Sequence, residues 1–205
     1  FLPIKLFLLR SRSIYFKDRY SWIAGTSGGI SLMSRTQTGN IGSKGTLNHK
    51  HNDLVNDYIY AVEEDAFGNT WFATSAGVSK LKYIGQSTGK KEFINYTMSD
   101  GFANHDVRSI AKDKKGTLWF ATGGGISFFD ETGNKFNSIT SDDGLSSDRL
   151  YFLNYDSARN VLWIGHALGL DKFDLDEFYR SGKMFFSHQT IQDGFLEVET
   201  NTNAA

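Results

Sequence analysis

The sequence predicts an all-β protein made of repeated four-stranded units, and three observations carry that expectation. One phrase recurs: an Asp, a turn, a Trp-bearing apolar run, a glycine-rich turn and a second apolar run. Its clearest copy extends from Asp113 to Asp130. The four tryptophans, Trp22, Trp71, Trp119 and Trp163, lie 49, 48 and 44 residues apart, and each is read as holding the same place in the phrase. A second element, seen as Asp100-Gly-Phe102 and Asp143-Gly-Leu145, precedes the phrase each time and leads into a short strand. Self-similarity at about 40 to 50 residues with several strands per unit is a β-propeller signature. The expected fold is therefore about four β-propeller blades of four antiparallel strands each, a partial propeller or fragment.

Each strand follows from its pattern. In Thr117–Thr122, Trp119 and Ala121 point to one face, Leu118 and Phe120 to the other. A strand apolar on both faces is sandwiched between neighbours rather than laid over a core with water behind it. Gly123, Gly124 and Gly125 supply the backbone freedom of a tight hairpin, and Ile126–Phe129 forms the next strand. The segments 52–65, 100–113 and 143–156 align without gaps, each with an apolar residue (Leu54, Phe102, Leu145) eleven positions before its closing Asp. Each gives a strand carrying Ile59 and Val62, Val107 and Ile110, or Leu150 and Leu153. Glu92–Tyr96, Lys135–Ile139 and Met184–Ser187 are the expected fourth strands. In the first copy, Arg12, Ser13, Ile14 and Tyr15 echo Arg108–Ala111, with one residue fewer before the Trp.

These elements divide the chain into blade 1 at about 10–51, blade 2 at about 52–99, blade 3 at about 100–142 and blade 4 at about 143–192, with residues 193–205 opening a further blade. The stretch Ser34–His51, rich in Gly, Asn, Ser and Thr, reads as a long connection, and Gly85–Lys91 as a shorter insertion. Four blades and a stub leave apolar faces that call for further blades of the same chain or a second protomer.

Net charge is −1, so no basic footprint suggests nucleic acid. There are no cysteines, which excludes disulfides and thiolate chemistry and fits an exported bacterial protein. The apolar N-terminus is interrupted by Pro3 and Lys5 and is too short to span a bilayer, so no membrane segment is expected in this stretch. Arg10 and Arg12 follow that run instead of preceding it, the reverse of a signal peptide, and Ile4–Leu9 reads as a strand in a segment cut from a longer polypeptide.

The combined motif resembles the two-component regulator propeller repeat, over nearly the whole chain from about Arg12. Departures occur at Ser21, at Arg159-Asn160 where a turn glycine is expected, and at His166, where the other copies have Thr74 and Thr122. The resemblance implies the extracytoplasmic sensor region of a hybrid two-component histidine kinase of Bacteroidetes, in which propellers precede a β-sandwich, a membrane helix and the kinase. It implies a periplasmic location and sensing of oligosaccharides. The segment Gly194–Ala204 resembles the repeat near the end of such arrays.

Candidate ligand-binding residues lie in the loops that a propeller gathers at one rim: Asn56 and Asp57; Asn104, His105 and Asp106; Ser147, Asp148 and Arg149; and His166 from the hairpin turns. Such side chains hydrogen-bond sugar hydroxyls, and an Arg can pair with a uronate or sulfate. The competing reading is that Asn, Asp and Ser simply build the turns. Tyr58, Tyr60 and Tyr151 are the aromatics best placed for stacking, whereas the tryptophans are read as core.

No catalytic residue, cofactor or metal is expected. Gly25-Thr-Ser-Gly-Gly29 matches a nucleophile elbow only in letters, because a strand and not a helix follows it. His49 and His51 lack a spaced third ligand, and Asp171, Asp174, Asp176 and Glu177 read as surface acidity. The alternatives to a sensor are a scaffold for dimerisation or docking, and a propeller lyase or glycosidase. A streptogramin-lyase-like site would need paired histidines, for which only His105 and His166 qualify.

Overall fold

The structure, a computed structural model, describes residues 11–18, 21–36, 38–84, 90–130 and 135–189. It is all-β, with four four-stranded antiparallel sheets, each a propeller blade. Strands β1 (Ser11–Asp18), β2 (Ser21–Thr26), β3 (Gly29–Arg35) and β4 (Ile41–Leu47) form blade 1. Strands β5 (Ile59–Glu64), β6 (Thr70–Thr74), β7 (Gly77–Ile84) and β8 (Lys90–Tyr96) form blade 2. Blade 3 holds β9 (Val107–Lys112), β10 (Leu118–Thr122), β11 (Gly125–Asp130) and β12 (Lys135–Ile139). Blade 4 holds β13 (Leu150–Asp156), β14 (Val161–His166), β15 (Gly169–Asp174) and β16 (Phe186–Gln189). Among the described residues, two short α-helices interrupt the pattern, α1 (His49–Asn52) and α2 (Leu175–Ser181). The chain forms two compact units, 1–95 and 96–205. The expected N-terminal strand (Ile4–Leu9) and the opening of a further blade (193–205) lie outside the described residues.

The Asp of the repeated phrase does two jobs at once. Asp65 Oδ1 accepts from the amides of Phe67 and Asn69 at 2.9 Å, closing the turn, while Oδ2 accepts from Trp71 Nε1 at 2.9 Å. Asp113 repeats this with Lys115 and Thr117 at 2.8 and 3.0 Å and with Trp119 Nε1 at 2.9 Å. The buried indole N–H thus has its acceptor, and the acceptor is held by the turn that precedes the strand. Burial alone would raise the Asp65 carboxyl, but the hydrogen bonds from Trp71 and Asn69 and the attraction of Lys80 outweigh it and hold it below its ordinary value. Gly68 and Gly116 take positive φ in these turns. In blade 4, Asn160 at φ 51° supplies the left-handed residue one place later, which is how that blade dispenses with the turn glycine.

The tryptophans are not equivalent. With the hairpin turns superposed in register, Trp71 pairs with Lys80, Trp119 with Phe128 and Trp163 with Lys172, three residues before the turn in each case. In blade 1 that place belongs to Ile23, paired with Leu32, and Trp22 stands one residue earlier, opposite Met33. A one-residue offset sends a strand side chain to the other face. Ile23 therefore joins Ile30, Leu54, Ile59, Phe72 and Leu81 in the core of the first unit, while Trp22 packs edge-on against Phe16. Trp71 and Trp119 are fully buried, but Trp163 is partly exposed. Trp22 is buried too, so the expectation of core indoles holds for Trp22, Trp71 and Trp119, and that of one shared register for Trp71, Trp119 and Trp163.

Two connections also differ from expectation. The Gly- and Ser-rich stretch after blade 1 contains β4, the missing fourth strand, so it is not a simple connection. Its composition hid it because an outer strand needs only its backbone to pair. In blade 4, α2 follows β15: Asp174 caps it, accepting from Glu177 N at 3.0 Å, and Gly182 at φ 71° ends it. The helix lies over blade 3, with Phe178 edge-on to Trp119 at 5.7 Å. Tyr179 Oη donates to Asp113 Oδ2 at 2.5 Å and lies 2.8 Å from Thr117 Oγ1, whose hydroxyl is free to donate to it. The core of the second unit gathers Trp119, Leu153, Leu162, Ile164, Phe173 and Leu175.

Candidate functional site

The loops leading into the innermost strands carry the expected rim residues, and most of those residues are occupied in building the loops. Asn56 Oδ1 accepts from Tyr58 N at 2.7 Å and Ser75 Oγ at 3.0 Å. Asn104 Oδ1 accepts from Asp106 N at 3.0 Å, and Ser147 Oγ from Arg149 N at 3.2 Å. Asp57 accepts from His49 N at 2.5 Å, and Asp148 from Ser141 N and Oγ at 2.6 and 3.0 Å. This is turn chemistry. Asp106 Oδ2 instead receives Arg108 Nε and Nη2 at 2.9 and 2.6 Å. His105 and Arg149 are exposed.

His166 is not a rim residue. It is 1% exposed, its Nδ1 accepts from Leu168 N at 3.2 Å, and its Nε2 lies 3.2 Å from Asp171 Oδ1. The threonines at this position do the same work: Thr74 Oγ1 accepts from Ala76 N at 3.1 Å and Thr122 Oγ1 from Gly124 N at 3.0 Å. The imidazole is a substituted turn acceptor.

Its partner is a second substitution. Ser79 Oγ accepts from Val55 N, and Ser127 Oγ from Ala103 N, both at 2.9 Å, fixing the loop that leads to the innermost strand. In blade 4 the residue is Asp171, which is wholly buried and not the surface acid expected. Its carboxylate accepts from Ser146 N and Oγ at 2.8 Å each, and His188 Nδ1 lies 2.6 Å from Oδ1. Burial pushes its pKa up, but hydrogen bonds from His166, His188 and Ser146 prevail and bring it to about 2. Ser146, His188 and Asp171 do not form a nucleophilic relay. Such a relay places the Ser on one imidazole nitrogen and the carboxylate on the other, whereas here both reach Nδ1.

A feature that residue patterns do not disclose lies on the innermost strands. In all four, the pairing with the next strand skips one residue at the same place: between Ser11 and Ser13, Ile59 and Ala61, Val107 and Ser109, and Leu150 and Phe152. The skipped residues are Arg12, Tyr60, Arg108 and Tyr151. A β-bulge re-aims the side chain it carries. In the first unit the Arg12 guanidinium lies 4.2 Å from the Tyr58 ring centroid and 5.9 Å from that of Tyr60. In the second, Arg108 lies 5.5 Å from the Tyr151 centroid and donates from Nη1 to Leu150 O at 3.3 Å. Tyr58 and Tyr60 meet edge-on at 5.0 Å. Among the described residues, no cluster of His, Cys, Asp or Glu suits a metal ion.

Comparison with known proteins accords with this architecture. Residues 101–124 match the family model described as two component regulator propeller. The extracellular domain of a hybrid two component system from Bacteroides thetaiotaomicron superposes with a TM-score of 0.75 at 16% identity, over 94% of this chain and 24% of that one. A second such domain from the same organism gives 0.58 at 17% identity, over 94% and 29%. Virginiamycin B lyase from Staphylococcus aureus gives 0.60 at 14% identity, over 90% and 57%. The chain thus spans about a quarter of the length of the first of these structures. No curated protein matches the sequence. In a chain with the propeller fold, residues 101–124 carry the two component regulator propeller repeat.

Proposed function

We propose that this stretch is a ligand-reading part of the extracytoplasmic sensor region of a hybrid two-component system. It takes an oligosaccharide and passes the signal to a downstream histidine kinase. The observation that carries this reading is the regulator propeller repeat at 101–124, set in a fold shared over 94% of the chain with a sensor's extracellular domain. Binding acts by favouring one of two arrangements of the downstream parts, to the extent that the ligand prefers one. The region is extracytoplasmic, in the periplasm; among the described residues no helix is long and apolar enough to cross a membrane.

The region is not a catalyst in this reading. A lyase-like pair of histidines is not favoured, since His105 is exposed but His166 is enclosed against Asp171. The test is calorimetric titration of the intact extracytoplasmic region with a panel spanning neutral, uronate and sulfated oligosaccharides. Saturable binding of one class is expected. Absence of binding across all classes overturns the reading.

A further inference from the structure

The bulged residues repeat as Arg, Tyr, Arg, Tyr, and in each unit the Arg of one innermost strand lies over a Tyr of the next. Packing alone does not call for this. A propeller strand needs apolar contact with its neighbours, and the residues before the bulges, Ile59, Val107 and Leu150, already provide it, all fully buried. The bulge instead turns out of the sheet a side chain that would have alternated with them. Arg108 and Asp106 are 14% and 23% exposed, so the pair is sheltered without being sealed.

The second unit also fixes the chemistry of what fits there. Arg108 Nε and Nη2 both go to Asp106 Oδ2, so the fork that would grip a carboxylate or sulfate is already engaged. An anionic group would meet the Asp106 carboxylate as well. The other oxygen, Asp106 Oδ1, is enclosed and has no hydrogen-bond partner among the described residues. An acceptor in that state is costly until a donor reaches it. An aromatic face beside a neutralised Arg–Asp pair with one free acceptor matches a ring that is apolar on its C–H face and bears hydroxyl donors at its edge.

We infer that Asp106, Arg108 and Tyr151 form a subsite for one neutral, hydroxyl-rich sugar residue, and that Arg12 with Tyr58 and Tyr60 repeats only its Arg–aromatic contact in the first unit. A sugar C–H face lies on the Tyr151 ring, and a hydroxyl donates to Asp106 Oδ1 once a shift of the enclosing side chains uncovers that oxygen. This rests on the sensor reading above and narrows its ligand to neutral saccharides.

The experiment titrates the full chain with cello-, manno- and xylo-oligosaccharides and, in parallel, with oligogalacturonate and chondroitin sulfate fragments. A neutral series binds, and Tyr151→Ala weakens it about tenfold or more while Tyr151→Phe, which keeps the ring, costs under about threefold. Should Tyr151→Ala not fold, Tyr151→Leu keeps apolar bulk without a ring face. Saturation transfer from sugar protons to the Tyr151 ring in the wild-type protein reads the same contact without a variant. Equal binding by wild type and the Tyr151→Ala and Tyr60→Ala proteins, or binding confined to the anionic series, overturns the subsite and leaves the sensor reading standing. No binding of any sugar removes both.

Discussion

In blade 3 the loop leading to the innermost strand is fastened by the Ser127 hydroxyl, and the hairpin beyond it by the Thr122 hydroxyl. In blade 4 the same two fastenings are the Asp171 carboxylate and the His166 ring, and His188 joins them from the outer strand where blade 3 has Ser138. The backbone is indifferent to the change, because a hydroxyl, a carboxylate and an imidazole nitrogen all accept from an amide N–H. Electrostatics are not indifferent. Two neutral anchors have become a buried ionised group that depends on its donors, so one blade of the repeat acquires a dependence on acid that its neighbour lacks.

Four measurements test that contrast. The largest effect is expected from the indoles: Trp119→Ala removes a buried ring and one of the donors to Asp113, costing about 3–5 kcal/mol in urea unfolding, and Trp163→Ala about half of that. Equal losses would mean that blade 4 is closed as tightly as blade 3. Next, Asp171→Ala leaves four donors facing an empty site and is expected to cost about 3 kcal/mol. The double change Asp171→Ser with His166→Thr, which restores the blade 3 anchors, should recover most of it.

The third measurement is acid titration of stability. The folded pKa of Asp171, about 2, lies below its ordinary 3.8. Its contribution is therefore complete above about pH 4 and is lost as pH falls through 2. The difference between those two values corresponds to about 2 kcal/mol. Chemical unfolding from pH 5 to pH 2 should show this loss in the wild type and not in the Asp171→Ser, His166→Thr protein. Matching slopes would place the acid sensitivity elsewhere. The smallest effect belongs to Tyr179→Phe, which deletes the hydroxyl bonds to Asp113 and Thr117 and should cost about 1 kcal/mol, since Trp119 still holds Asp113. Burial, and then the Asp113 carboxylate, raise the Tyr179 hydroxyl, so spectrophotometric titration should find it protonated where exposed tyrosines have ionised.

The repeat was readable because its local chemistry is closed: an Asp, a turn and a Trp satisfy one another within a few residues, so their spacing survives in the letters. What depends on pairing between strands was not. Trp22 carries the expected letter at the wrong register, and only the partner strand reveals that Ile23 faces the core. The bulges that turn out Arg12, Tyr60, Arg108 and Tyr151 are likewise properties of two strands together. Strand β4 was hidden by a composition suited to a loop. Helix α2 was not hidden: Asp174, Glu177 and Gly182 have the spacing of a capped helix, a signal masked by reading the acids only as surface charge. Among the rim residues, the Asn and Ser side chains went to the turns, as their intrinsic preference dictates, and the bulge at Tyr151 is a feature its letter alone does not show.

Helix α2 has a consequence for how the segment could be observed. It hangs between β15 and β16, yet its aromatic residues Phe178 and Tyr179 rest on Trp119 and on the aspartate that holds that indole. The ring of Trp119 thus touches a helix that belongs to the next blade, so its emission is expected to report whether that helix is seated.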